Sequence, residues 1–233
     1  INGSSVKKAI CIGENIRQND FSLNVLGRKI TENWNIKLYS TYASTEMQTA
    51  FTECAAGKGG HHQPELLIVE LLNEKDRPVG DGEPGEVTIS TLGVEGMPLL
   101  RYKTGDICVA HREPCVCGRH SLRLSPVIGR KKQMIKFKGT TLFAPALYEL
   151  LNGMDDIADF VAEVYSNEIG TDEVLLHLLP VHLSEETDHR IRAYLQAKLR
   201  VTPHIRDVMA EVIQQLQFPV AGRKALKFID KRI

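Results

Sequence analysis

The chain lacks most of the features that would direct a protein to a membrane, a nucleic acid or an oxidising compartment. No apolar run approaches the roughly 20 residues needed to span a bilayer, and no charged-then-apolar signal segment opens it. Surplus charge is absent too: 29 Lys and Arg balance 29 Asp and Glu, which removes electrostatic capture by nucleic acid or an anionic surface. There are no internal repeats and no low-complexity tracts, so solenoid and linker-like organisations are excluded. Cysteine is sparse and odd in number, five in 233 residues, which does not make a fully paired disulfide framework. The expected compartment is the cytoplasm. The chain also lacks an initiating Met: it enters at once the strand-like "KKAICIG" and reads as the middle of a domain, so it is expected to be the C-terminal portion of something longer.

What is present is an ordinary globular composition, 42% hydrophobic and 25% charged, over a length that suits one large domain or two smaller ones. "KKAICIG" predicts a buried strand, with Ala9, Ile10, Cys11 and Ile12 as its apolar block. Leu23, Leu26, Ile30 and Trp34 recur at helical spacing across residues 21–34. Strands follow in "IKLYSTYAS", "PELLIVELL", "EVTIST" (Val87 and Ile89 inward) and "MPLLRYKTGDICVA". Cys11 and Cys108 sit in apolar runs and read as small buried hydrophobes.

The character changes at "VIGRKKQMIKFKGTTLF", a basic two-stranded ribbon after a linker. Beyond it Pro145 opens a helix, "DFVAEVYS" and "DEVLLHLLPV" are strands, Ser184 caps a long helix, and "DVMAEVIQQL" is expected as a last strand. The fold class is therefore α/β. A strand-rich part over residues 1–131 precedes a small, compact α+β domain over 132–233.

Four segments carry chemistry. In "TYASTEMQTAFTEC", Tyr42 offers a ring for a nucleobase, Thr45 a hydroxyl for a phosphate, and Glu46 hard oxygens for magnesium. In "PLLRYKTGD", Asp106 follows a glycine turn, where a carboxylate can accept from the paired hydroxyls of a ribose. "GRKKQMIKFKG" brings Arg130 and a basic ribbon toward an anion, and "GRKALKFIDKR" ends the chain with further cations. Each has an ordinary explanation taken singly: a strand end, an Asx turn, a protected sheet edge, a basic tail.

In this order the segments resemble the acyl-adenylate-forming superfamily, and most closely its phenylacetate–CoA ligases. "CIGENI" is similar to the family's Gly-Glu loop beside adenine, and "YASTE" to its aromatic-Gly-x-Ser/Thr-Glu motif. "GDGEPGEVTISTLGVEGMPLLRYKTGD" is similar to its longest signature, and "PCVCGR", "VIGRKKQMIKFKGTTLFAP" and "GRKALKFIDKR" follow in the family's order. The resemblance implies an ATP-dependent ligase of small carboxylates, aryl acetates foremost. Such an enzyme first forms an acyl-adenylate with release of pyrophosphate, then a thioester with CoA and release of AMP.

By the same resemblance Lys224 is the catalytic cation, with Arg223 and Lys227 as competitors for that register. Thr45 contacts the α-phosphate and Glu46 the magnesium, while Gly13, Glu14, Asn15, Tyr42, Ala43, Ser44, Asp106 and Arg130 surround the nucleotide. Lys132 is the pivot of the small domain, and Gly139 lets the CoA arm approach the backbone. Two departures stand out: Ala43 replaces the family's usual Gly, and no "SSGTTG"-like phosphate loop exists, "INGSS" not being one. The chain alone is therefore expected to be catalytically incomplete. A non-catalytic nucleotide-binding or interaction module that keeps the fold is the alternative, and homodimerisation stays open.

Cys54, His61, Cys115 and Cys117 are expected to form a structural zinc site, three thiolates and one imidazole. Similar members of the family carry these elements together. The pair in "PCVCG" can reach one ion only if the backbone turns there, and His62 is a rival to His61.

Overall fold

The computed structural model describes residues 4–137, 140–168, 171–199, 203–219 and 225–232, and the chain divides into two compact units, Ile1–Lys132 and Gln133–Ile233.

The first unit opens with β1 (Lys8–Ile12), α1 (Val25–Asn33) and β2 (Lys37–Ala43), the two strands pairing in parallel with Ile12 opposite Thr41. Asn24 starts α1, its side chain accepting from the Gly27 amide at 2.9 Å, so the helix begins later than the apolar spacing from Phe21 predicts. The remaining strands are β3 (Ala50–Glu53), β4 (Gly60–His61), β5 (Leu67–Leu72), β6 (Pro84–Thr91), β7 (Tyr102–His111), β8 (Arg123–Leu124) and β9 (Gly129–Arg130). They form one sheet in the order β1-β2-β3-β4-β8-β7-β6-β5, with β9 on β7, and every pairing after β1–β2 is antiparallel.

One expectation for β1 is corrected. Ala9 and Cys11 pack with Ile16, Ile36 and Leu38, but Ile10 and Ile12 are 67% and 62% exposed. Successive side chains alternate faces, and α1 covers only one of them. On β6 the predicted Val87 and Ile89 are fully buried, but so is Thr88 between them, and Glu86 before them is buried too, which makes this strand internal on both faces.

The second unit begins with a hairpin, β10 (Met134–Phe137) and β11 (Thr140–Phe143), preceded by a single 3-10 turn at Lys131–Gln133. α2 (Ala144–Asn152) carries Pro145 in its first turn, where the missing amide costs nothing. A four-stranded sheet follows in the order β14-β13-β12-β15, from β12 (Ile157–Ser166), β13 (Asp172–Pro180), β14 (His204–Asp207) and β15 (Phe228–Asp230). Between β13 and β14 lies α3 (Glu185–Leu199), capped as expected by Ser184, whose hydroxyl accepts from the Thr187 amide at 3.1 Å.

The expected last strand "DVMAEVIQQL" is corrected. Asp207 ends β14, and α4 (Ala210–Gln217) takes up the rest. The Met209 carbonyl accepts from Val212 and Ile213, and the buried Ile213 and Gln217 stand four apart, one helical turn, toward the sheet.

Leu147, Leu151, Phe160, Ala162, Val164, Leu176, Leu178 and Leu195 are essentially without exposure and form this unit's core. Leu176→Ala should cost about 2–5 kcal/mol, as cavity-forming changes do, measured as a loss in urea-unfolding free energy. Leu100→Ala, at a side chain 86% exposed, should stay within about 0.5 kcal/mol of wild type.

Candidate functional site

Two clusters emerge in the first unit, at opposite ends of β3. The parallel pair β1 and β2 ends at Ile12 and Ala43, so residues 13–15 and 44–46 leave the sheet side by side at its carboxyl edge, with Tyr42 next to the last residue of β2. In open α/β sheets this is the edge where ligands bind. Gly13 has φ 84°, which a residue with a Cβ adopts with strain and which turns the chain sharply after β1. A tight turn follows β2, with Met47 and Gln48 amides donating to the Ser44 and Thr45 carbonyls. Met47 is buried beneath it, and Thr45 and Glu46 are exposed at its tip.

Asp106 on β7 reaches the same place. Its carboxylate accepts from the Tyr42 hydroxyl at 2.9 Å and from Arg130 Nε at 3.1 Å. Thr104, which no sequence pattern singled out, ties the cluster together: its hydroxyl lies 3.4 Å from that of Tyr42, donates to the Val87 carbonyl at 2.9 Å, and accepts from the Asp106 amide at 3.1 Å. The Tyr42 ring lies against Phe51 at 5.9 Å. Burial pushes the Tyr42 phenol above its usual range, and the Asp106 carboxylate adds to this, so the hydroxyl stays protonated as a donor. The Arg130 side chain is 66% exposed while that of Asp106 is 12% exposed, so the guanidinium is presented outward from an anchored carboxylate.

The next residue is anchored likewise. Lys131 Nζ sits 2.9 Å from the buried Glu86 carboxylate, and that hydrogen bond raises the ammonium above its ordinary value. Lys132 follows, exposed, in the 3-10 turn. Gly139, Lys224 and Arg223 lie outside the described residues. Lys227, the other competitor of Lys224, is committed to the fold of the second unit: its Nζ is 3.0 Å from Asp159 and 4.3 Å above the Phe160 ring.

The second cluster forms at the far end of β3. Cys54 follows that strand, His61 lies on β4, and Cys115 and Cys117 lie between β7 and β8; all four ligand atoms fall within 4.8 Å of one another. Cys54 Sγ is 3.6 Å from Cys115 Sγ, and Cys117 Sγ is 3.6 Å from His61 Nε2. A disulfide needs about 2.05 Å, whereas thiolates each about 2.3 Å from a tetrahedral ion stand about 3.8 Å apart. The donor set therefore fits zinc.

The two loops use the same turn. Gly57 N donates to Cys54 O at 3.0 Å and Gly118 N to Cys115 O at 2.9 Å, with φ of 62° and 88° at the two glycines. The turn through Gly118 is what lets thiols two apart converge. Burial, with Arg119 and Arg123 adding, holds the His61 imidazole below its usual value. Burial pushes the Cys54 thiol up, while a backbone donor at Arg119 holds that of Cys117 down. His62 points elsewhere: its Nε2 is 2.7 Å from the Leu67 carbonyl and its ring stacks on Phe51 at 5.8 Å.

No family model matches the chain. The phenylacetate-coenzyme A ligase of Thermus thermophilus is 26% identical over 231 residues, covering 88% of this chain and 51% of that protein. By sequence the chain is similar to the phenylacetate-coenzyme A ligases. The Escherichia coli ligase of the same name is 33% identical over 81 residues, 34% of this chain and 18% of that one. The chain thus spans about half the length of its Thermus relative. Its fold is like that of solved CoA ligases. A 2-hydroxyisobutyryl-CoA ligase solved in its postadenylation state superposes with a TM-score of 0.74 at 20% identity, over 95% of this chain and 48% of that one. A benzoate CoA ligase from Burkholderia xenovorans superposes with a TM-score of 0.61 at 18% identity, over 88% and 42%. Among the described residues, no helix is long and apolar enough to cross a membrane.

Proposed function

We propose that this chain is the C-terminal portion of a cytoplasmic, AMP-forming acyl- or aryl-CoA ligase, acting on a small carboxylate, ATP and CoA. The observation that carries the reading is the Tyr42–Asp106–Arg130 cluster, placed beside Gly13–Asn15 and Thr45–Glu46 at the carboxyl edge of the parallel strands. Asp106 has a carboxylate oxygen on each of two anchoring donors and remaining lone pairs for the ribose hydroxyls. The exposed Thr45 hydroxyl takes the α-phosphate. Glu46, a single exposed carboxylate, suits magnesium, which keeps most of its waters and needs only one or two protein oxygens; that ion supplies charge neutralisation at the phosphates.

Attack of the substrate carboxylate on the α-phosphorus forms a mixed anhydride and expels pyrophosphate. CoA thiolate then attacks the acyl carbon and AMP leaves. Lys224 stabilises the first transition state, and the second unit is proposed to pivot at Lys132 between the two steps, bringing the segment at Gly139 to CoA. The anchoring of Arg130 on the buried Asp106 and of Lys131 on the buried Glu86 supports a pivot that begins immediately after them. Cys54, His61, Cys115 and Cys117 hold a zinc ion whose four protein ligands leave no open position, so its role is structural.

Pyrophosphate release by the full-length protein against a panel of aryl and alkyl carboxylates tests the activity. ATP-dependent release with one acid class is expected; nucleotide binding with no release from any acid would establish the non-catalytic module instead. Asp106→Ala should weaken ATP binding about 10- to 100-fold, the loss of charge-assisted hydrogen bonds. Unchanged affinity by calorimetry removes the ribose role.

A further inference from the structure

The four cysteine and histidine ligands come from two loops, and one buried side chain joins those loops. Arg123 lies on β8, directly across from His61 on β4, and its side chain is 4% exposed. Its Nη1 donates to the Lys58 carbonyl at 2.6 Å, within the segment that runs from Cys54 to His61. Its Nη2 donates to the Glu113 carbonyl at 3.0 Å and to the Glu113 carboxylate at 2.7 Å, two residues before Cys115. Nε is buried without a partner, so burying this charge is not explained by a fully satisfied network.

We propose that Arg123 is a positioning residue for the metal site, a guanidinium strut that holds the Cys54–His61 loop and the Cys115–Cys117 loop at ligand distance before the ion arrives. The inference rests on the zinc reading above. A planar fork can span two backbone carbonyls in different loops at fixed separation, which a lysine's single ammonium on a flexible stem does not do. Without the strut, each loop keeps its own Cys-x-x-Gly turn but the two are free to separate, and the ligands must be gathered at the moment of binding. The effect falls on the ion's residence time, since release begins with the loops parting.

The test uses the full-length protein. Zinc content of the wild type comes first: less than about half an equivalent, where a closed site holds one, overturns the zinc reading and this inference with it. Given a loaded wild type, Arg123→Lys should release zinc to a chromogenic chelator about 10- to 100-fold faster, the range seen when groups that orient metal ligands are removed. The zinc-dependent rise in melting temperature should shrink in the variant. Wild-type release with a uniform loss of melting temperature in metal-free and loaded protein would leave Arg123 a packing residue and overturn the proposal, with the zinc reading intact. Should Arg123→Lys fail to fold, hydrogen exchange of the chelated wild-type protein decides. Amides of residues 54–61 and 113–117 that keep their protection without the ion support the strut, and exchange of both loops at the rate of free surface overturns it.

Discussion

Lys224→Ala, in the complete enzyme, should lower the adenylation rate about 100- to 1,000-fold, the usual cost of removing a positioned charge stabiliser. Thioester formation from a supplied acyl-adenylate should fall far less, because the proposed pivot takes Lys224 out of the site before that step. The two are separated by single-turnover pyrophosphate release and by CoA-dependent consumption of the purified adenylate. An equal loss in both half-reactions would sink the proposed pivot as well as the assignment. Lys227→Ala provides the contrast. With its ammonium between Asp159 and the Phe160 ring, and with its backbone carbonyl accepting from Ala162, Lys227 is a stability residue of the second unit. Its loss should lower that unit's unfolding free energy and leave the ratio of the two half-reactions unchanged.

Stripping the metal is expected to have the second large effect. If free zinc stands at about 100 times its dissociation constant, binding stabilises the protein by about 2.7 kcal/mol. Chelation should then lower the melting temperature by about 5–10 °C at this chain length. Cys115→Ser should reproduce the shift and abolish zinc in elemental analysis, since Cys115 is 7% exposed and its Sγ stands 3.6 Å from that of Cys54. Adding chelator to that variant should change nothing further. Cys54, Cys115 and Cys117 all titrating freely in native buffer, together with less than about half an equivalent of the single ion a closed site holds, would refute the site.

Local signals account for what was legible in the sequence. Pro145 and Ser184 start α2 and α3 where their chemistry requires, because a missing amide and a hydroxyl acceptor act within one turn. Val87 and Ile89 point inward on β6 by simple alternation. Where two local patterns compete, the sequence misleads: the segment after Asp207 alternates well enough to pass for a strand, yet Ile213 and Gln217 one helical turn apart pack it as α4. A strand's second face is equally undecidable from its own residues, which is why Ile10 and Ile12 were read as buried and prove exposed.

The candidate site divides along the same line. The residue types at Tyr42, Thr45, Glu46, Asp106 and Arg130 were legible as motifs, each carried by its own short segment. That Tyr42 and Arg130 meet on the Asp106 carboxylate, with Thr104 behind them, was not, because those contacts join segments up to 64 residues apart. Cys115 and Cys117 are neighbours in sequence, but their meeting with Cys54 and His61 depends on two glycine turns and on the pairing of β4 with β8. Arg123 lay outside every motif, and Thr104, Lys131 and Glu86 lay within motifs without being singled out. A buried cation or a bridging hydroxyl is specified by partners that only the folded sheet brings within hydrogen-bond reach, and the tertiary structure alone decided them.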